Sequence, residues 1–132
     1  MAGSFSLDIS RFCNKANANV KATVQKIAME AFKRVILRSP VDTGRFRANW
    51  GCSVGSPWAG TVNVYDEDGR GTVALAASTV NGWNGQGSIF LTNNLPYSLR
   101  LEYSAWSAQA PAGMVRVTVA EMGGVAAQVA KG

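Results

Sequence analysis

The sequence predicts an α+β domain, in which a long N-terminal helix and a C-terminal helix pack on a small antiparallel β-sheet with a long hairpin. Three observations support this class. Apolar residues recur at helical spacing before residue 38 and again after residue 114, and β-rich runs bounded by glycine lie between them. The chain has 132 residues, 47% of them hydrophobic. We therefore expect one domain over residues 1–132.

The first predicted element is a helix over residues 8–38, capped by the Asp8 carboxylate. Its apolar positions follow one another in steps of three, four or a multiple: Ile9, Phe12, Val20, Val24, Ile27, Ala31 and Val35. Met29, Phe32 and Ile36 form a second apolar stripe, and a helix with two stripes needs two neighbours. One is the sheet, and the other is either the C-terminal helix or another subunit. Our hypothesis is that the second stripe contributes to a subunit interface.

Pro40 ends this helix, because a proline disfavours the helical conformation of the residue before it. Asp42, Thr43 and Gly44 form a turn, in which the carboxylate accepts backbone N–H groups and glycine supplies a positive φ. Arg45 and Arg47 then alternate with apolar residues. On a strand, both guanidinium groups would emerge on one face.

Residues 49–54 and 61–65 are predicted to pair as a long hairpin with a glycine-flanked tip. Trp50 is assigned to the core. Trp58 at the tip is either exposed to a partner or folded back over the sheet. The acidic turn at 66–69 lacks the spacing of a calcium loop and is predicted to be solvated. A short helix over 72–80 follows, then a flexible link in which Trp83 tucks under the domain.

The last third of the chain begins with a strand-like run at residues 89–91. Pro96 suits the first turn of a short helix, and Asn94 before it caps the exposed amides. Pro111 and Gly113 precede the predicted C-terminal helix. Residues 114–119 are also compatible with a strand, but the spacing of the apolar residues favours one helix face: Val115, Val119, Met122, Ala126 and Val129.

Polar and aromatic groups are concentrated at Tyr97, Arg100, Glu102 and Tyr103, which marks a candidate site. Glu102 pairs either with Arg100 or, across the fold, with an arginine distant in sequence: Arg45, Arg47 or Arg116. Catalysis by Glu102 is a minor alternative, since no second carboxylate or histidine base is apparent beside it.

The charge is uneven along the chain. Nine of the 13 Lys and Arg lie in residues 1–50 against three acidic residues, so this part carries +6 in a chain of net charge +5. Such a half is either a solvated helix face or a surface for an acidic protein or nucleic acid. Nucleic-acid binding would use these residues: Lys15, Lys26, Lys33, Arg45 and Arg47.

The sequence contains no histidine and no nucleotide-binding or nucleophile motif, and its two cysteines lie far apart. We therefore expect no enzyme activity, no cofactor and no metal, and we expect Cys13 and Cys52 to be free thiols. No apolar run approaches the length of a membrane helix, and residues 1–7 lack the pattern of a secretion signal. We expect neither secretion nor membrane insertion.

Two stretches carry a family resemblance. The first signature is SPVDTGRFR at residues 39–47. The second signature lies within residues 94–116 and contains NLPY, LEY and QAPAGMVR. In this order they resemble the tail-completion (neck) proteins, or minor tail components, of long-tailed bacteriophages. One departure is that Ser104, Ala105 and Trp106 stand where family members usually carry a glycine.

The resemblance implies a structural virion protein, assembled in the host cytoplasm, that joins the DNA-filled head to the tail. Its copies would form a closed ring of six, contacting a head-side connector or stopper protein and a tail-terminator or tail-tube protein, while DNA passes through the channel without sequence recognition. A tail-terminator ring and a basic nucleic-acid-binding protein are the alternatives. The predicted subunit or partner interface comprises Met29, Phe32, Ile36, Arg45, Arg47, Trp58, Tyr97, Arg100, Glu102, Tyr103 and Arg116. The predicted structural turns use Pro40, Asp42, Thr43, Gly44, Asn94, Pro96, Pro111 and Gly113.

Overall fold

A three-stranded antiparallel sheet and helices on the same chain confirm the α+β class. The computed structural model describes residues 5–8, 20–103, 107, 109–110 and 113–131. In chain order the elements are β1 (Phe5–Asp8), α1 (Val20–Arg38), α2 (Arg45–Ala48), β2 (Trp50–Val54), α3 (Arg70–Asn81), β3 (Ile89–Asn93), α4 (Ser98–Tyr103) and α5 (Val115–Lys131).

Strand β3 lies at the centre of the sheet, in the order β1-β3-β2, and pairs antiparallel with both neighbours. Leu91 stands opposite Leu7 on one side and Cys52 on the other. Ile89 and Leu91 are fully buried. The apolar run at residues 89–91 was therefore correctly predicted as a strand, and it is the strand that organises the sheet.

The predicted long hairpin does not form, because β2 pairs with β3 and residues 61–65 are not a strand. Side-chain amides hold that segment instead. The Asn49 amide donates to the Val62 carbonyl at 2.9 Å and accepts the Val62 N–H at 2.8 Å. A side chain thus occupies the hydrogen-bonding groups that a paired strand would have used.

The first predicted helix is described only from Val20 onward, as α1. Asp8, its predicted cap, is the last residue of β1, whose four residues pair with β3. Residues 9–19, including Ile9 and Phe12, lie outside the described residues.

Helix α1 packs between α5 on one side and α3 on the other. Its two apolar stripes are both satisfied inside the chain, since Ile27, Val35, Phe32 and Ile36 are almost completely buried. The prediction that Phe32 and Ile36 belong to a subunit interface is therefore wrong, because both are core residues. Met29 is half-buried at the edge of this core. The second neighbour that the sequence required includes α3, whose short alanine-rich pattern gave little sign of it.

The predicted C-terminal helix is confirmed as α5, which excludes the strand alternative for residues 115–119. Its buried face differs from the prediction, because Val119 is 37% exposed whereas Thr118 is fully buried. The Thr118 hydroxyl donates to the Met114 carbonyl at 2.8 Å and accepts a bond from Arg38 at 2.9 Å. A threonine satisfied in this way is readily buried in a helix interface.

An ion-pair network joins α5 to α1. Glu121 contacts Arg34 at 3.0 Å and Arg38 at 2.7 Å, and Arg34 also contacts Glu30 within its own helix at 2.8 Å. The Arg38 and Arg34 guanidinium groups lower the pKa of Glu121 to about 2. Two of the nine basic residues in the first half of the chain are thus neutralised internally.

The acidic turn before α3 is a helix cap. The Asp66 carboxylate accepts the Thr72 N–H and hydroxyl at 2.7 and 2.6 Å and the Gly69 N–H at 3.1 Å. Burial raises the pKa of Asp66, but these hydrogen bonds outweigh it, so that the pKa lies below its ordinary value. The predicted short helix is confirmed as α3.

The predicted burial of Trp50 and Trp83 is confirmed. Trp50 is buried and its indole N–H donates to the Ser39 hydroxyl at 2.6 Å, while Trp83 is buried with its N–H on the Gln86 carbonyl at 2.8 Å. Cys52 is a half-buried free thiol, and burial raises its pKa to about 12. Cys13 lies outside the described residues. Among the described helices, none combines the length and apolarity needed to cross a bilayer.

We expect Phe32→Ala to destabilise the fold by about 3–5 kcal/mol, because it leaves a cavity between α1 and its neighbours. Leu37→Ala, at an exposed position of the same helix, should change the stability by less than about 0.5 kcal/mol. Urea unfolding followed by circular dichroism measures both. Equal stability of Phe32→Ala and the parent protein would contradict the assignment of Phe32 to the core.

The Glu121 network predicts a pH dependence of stability. A carboxylate whose pKa is lowered in the folded state from 4.5 to about 2 stabilises the fold fully above the unfolded value and progressively less as the pH falls through this window. The difference in urea midpoint between the parent protein and Glu121→Gln should therefore be present at pH 6 and vanish towards pH 2. A difference that does not vary with pH would show that the network makes no contribution.

Candidate functional site

The first signature forms a tight turn around Gly44. This glycine has a φ of +89°, as predicted, and a Cβ there would lie 2.6 Å from the Asp66 nitrogen. The close approach places the Gly44 carbonyl 3.0 Å from that same N–H, which it accepts. Thr43 accepts the Arg45 N–H at 3.3 Å, whereas Asp42 is exposed. Gly44 therefore joins the end of α1 to the loop before α3.

Arg45 and Arg47 lie on a helical turn, α2, and not on the predicted strand. The turn is fixed because the Gly44 carbonyl accepts the Ala48 N–H at 3.0 Å and Asn49 donates to the Arg45 carbonyl at 2.7 Å. The two guanidinium groups therefore do not emerge together on one face of a strand, as the prediction required.

Arg47 is a structural clamp. It donates to the carbonyls of Leu37 at 3.0 Å, Ser39 at 2.8 Å and Glu67 at 2.7 Å. The first two are carbonyls at the end of α1, where a cation also complements the helix dipole. The predicted partner-interface role of Arg47 is thus replaced by an internal one. Arg45 is half-buried, and its Nε is buried without a hydrogen bond.

The second signature contacts the first through Asn93, a residue that the sequence analysis did not single out. The buried Asn93 amide donates to the Phe46 carbonyl at 2.9 Å and accepts the Leu95 N–H at 3.1 Å. The amide nitrogen of Asn94, which was predicted as a helix cap, donates to the carbonyls of Trp58 at 2.7 Å and Gly60 at 3.0 Å. The prediction from Pro96 is confirmed, since α4 begins two residues later.

Aromatic packing reinforces this contact. The Phe46 ring lies 5.6 Å from the Tyr97 ring and 5.9 Å from the Trp50 ring, the latter edge to face. Burial raises the pKa of Tyr97, an effect that Arg45 opposes and Asp42 reinforces. Tyr97 is half-buried and therefore contributes mainly to the seam between the two signatures.

An open groove of about 590 Å³ follows this seam. Its wall is fixed by Gln109, which accepts the Val41 N–H at 2.8 Å and donates to the Val41 carbonyl at 3.0 Å. Tyr97 and Leu101 provide apolar surface and Asp42 a carboxylate. Residues from both signatures line this groove.

Glu102 caps helix α5. Its carboxylate is 1% exposed and accepts the N–H groups of Met114, Val115 and Arg116, each at 2.8 Å. Arg116 returns its guanidinium to the same carboxylate at 3.2 Å and to the Glu102 carbonyl. Three of the four N–H groups that a helix start leaves unpaired are thereby satisfied, with a negative charge at the positive end of the helix dipole.

Gly113 makes this cap possible. It has a φ of +86°, and a Cβ there would lie 2.5 Å from both the carbonyl and Oε2 of Glu102. Any other residue would be strained and would displace the carboxylate. The structural role predicted for Gly113 therefore has a steric explanation, while Pro111 lies outside the described residues.

The structure divides the predicted interface residues. Glu102 is an internal cap, and Trp58 lies against Gly51, where a Cβ would be 2.1 Å from the indole, so its loop is folded back over the sheet. Tyr103 is 55% exposed and carries the Arg116 guanidinium over its ring at 4.9 Å. Arg100, exposed one helical turn before Tyr103, belongs to the same surface.

The basic residues of the nucleic-acid alternative are separated as well. Lys26 and Lys33 are exposed on α1, Arg47 is bound internally, and Lys15 lies outside the described residues. In the described part of the chain, no three His, Cys, Asp or Glu side chains come together as a metal site. No protein-family model, curated protein or solved structure matches this chain.

We expect Glu102→Gln to destabilise the protein by about 1.5–3 kcal/mol, since a neutral amide replaces the charged acceptor of three N–H groups and presents a donor to some of them. Hydrogen exchange at the amides of residues 114–116 should accelerate together. Glu67→Gln, which changes an exposed carboxylate, is the matched control and should shift stability by less than about 0.5 kcal/mol. Unchanged protection of these amides would contradict the cap.

Proposed function

We propose that this chain is a structural virion protein of a phage neck, whose copies form a closed ring that joins the DNA-filled head to the tail. The observation that carries this proposal is the contact between the two signatures. Phe46 of the first lies against Tyr97 of the second, and Asn93 bonds the Phe46 carbonyl from the adjoining strand. Two matching segments far apart in sequence thus share one structural unit, which supports treating them as a single family signature.

The chemistry of the signature residues supports a binding role. The groups with the strongest hydrogen-bonding capacity hold the backbone together: Glu102 caps α5, Arg47 binds carbonyls, and Asn93 bridges the signatures. The described residues exposed at this end include an aromatic ring stacked with an arginine, Tyr103 with Arg116. Tyrosine and arginine are enriched where proteins bind proteins. We assign this surface to a partner ring, either the head-side connector or stopper, or the tail-terminator or tail-tube protein.

A ring explains how modest contacts give a durable joint. A head-to-tail contact between identical subunits repeats until the rotation closes, and each copy then carries two contacts. Once the ring engages a partner ring, every subunit binds at a high effective concentration. DNA passes through the central channel without any base being read.

The test is electron microscopy of particles formed when the phage encoding this chain cannot express it. We expect filled heads beside separate tails of normal length, with joining restored by the parent protein. Arg100→Glu with Tyr103→Asp should fail to restore it, whereas Lys26→Glu with Lys33→Glu, which makes an even larger charge change on α1, should succeed. Tails of abnormal length would indicate a tail-terminator ring instead. Infectious particles without the protein, or a defect confined to DNA replication, would refute the neck assignment.

A further inference from the structure

A second groove, which we call the β2–α3 groove, is lined by residues outside both signatures. It has a volume of about 760 Å³, with β2 and the segment after it on one side and α3 on the other. Its walls carry large apolar side chains that face solvent: Val62 is 36% exposed, Val64 53%, Tyr65 57% and Leu75 73%. A concentration of exposed apolar side chains of this kind marks an interaction surface.

The β2–α3 groove carries little charge in a chain of net charge +5. Within the described part of the chain, its lining contains no Lys or Arg and one carboxylate, that of Asp66. The hydrogen bonds from Thr72 and Gly69 already engage that carboxylate. Charge complementarity therefore favours an uncharged apolar occupant, because a charged one would lose its water without gaining a partner.

The chain itself presents such an occupant on helix α5. After the exposed Arg116 at its start, its outward face carries four small residues, all exposed: Ala120, Gly123, Gly124 and Ala127. Neither glycine has a positive φ, and a Cβ at either position would meet nothing within 4 Å. Glycine is unfavourable inside a helix, yet nothing within the described fold requires it at these two positions. Glycines without an internal reason suit a place where another molecule approaches the helix backbone closely.

We propose that the small-residue face of α5 in one copy docks in the β2–α3 groove of the next copy. This inference rests on the proposed ring, for which it supplies the repeated contact. The two surfaces differ and lie on different elements, so that each copy offers one of each and the contact can repeat from copy to copy around a ring. The four small residues on α5 carry no charge, and the single carboxylate of the groove is already hydrogen-bonded. The absence of side chains at Gly123 and Gly124 lets the helix approach Leu75 and Val64.

Substitutions separate this contact from effects on folding. Gly124→Leu should raise the thermal unfolding midpoint of the monomer, because leucine favours a helix, and should weaken self-association at least tenfold. Leu75→Glu should weaken it similarly, whereas Ala74→Glu, exposed on the same helix but outside the groove, should not. Native mass spectrometry and sedimentation of the purified chain measure the assembly. A parent protein that stays monomeric at high concentration, or a Gly124→Leu variant that assembles normally, would overturn the proposal.

Cross-linking identifies the partner surface. In a chain carrying Cys13→Ser and Cys52→Ser, a copy with Leu75→Cys and a copy with Gly124→Cys should form a mixed disulfide on oxidation, and Ala74→Cys with Gly124→Cys should not. A preferred disulfide between two Leu75→Cys copies would reveal a two-fold contact and overturn the proposal. Both experiments use purified protein, so failure here, with heads and tails still separated in cells lacking the protein, would leave the neck function standing.

Discussion

The buried carboxylate of Glu102 is the interaction on which the described architecture depends most. It lies on the short helix α4 and holds three N–H groups at the start of α5, and α5 in turn covers α1. A buried charge is tolerated only when hydrogen bonds replace the water it has lost. Here the helix start and Arg116 supply them, and Gly113 leaves the space. The second signature thus sets the position of α5. The same contacts hold the surface that carries Tyr103.

Side-chain amides hydrogen-bond the backbone of the irregular segments, just as the Glu102 carboxylate hydrogen-bonds the start of α5. The Asn49 amide binds both the N–H and the carbonyl of Val62, and the Gln109 amide binds both groups of Val41. Asn93 at the end of β3 and Asn94 directly after it extend this pattern to the carbonyls of Phe46 and Trp58. Because each amide offers a donor and an acceptor, a loop without backbone pairing still has a defined path. The path places Val62 and Val64 on the surface, which creates the β2–α3 groove.

The local sequence pattern was sufficient to predict the class of fold and the positive φ of Gly44. It also predicted α1, α3 and α5 as helices. It was insufficient wherever a distant partner decides the outcome. Residues 61–65 have the composition of a strand, but Asn49 occupies the backbone of Val62. Phe32 and Ile36 form an apolar stripe in any isolated helix, and only the packing of α3 and α5 shows that it is internal. Arg47 and Glu102 were recognised as important charged residues, but no spacing rule indicates that their partners are backbone groups. Asn93 lacked a signal altogether, since its neighbour Asn94 offered the more familiar cap.

The fold therefore has a signature end held together by hydrogen bonds and, elsewhere, two surfaces of low charge for which a single copy gives no occupant. The proposed ring of identical copies between head and tail would account for both features. Cryo-electron microscopy of the head–tail joint in intact particles tests this account most directly. It predicts a closed ring of this chain around the DNA, with α5 of each copy in the β2–α3 groove of its neighbour. A joint reconstructed without this chain, in particles that are fully infectious, would contradict it.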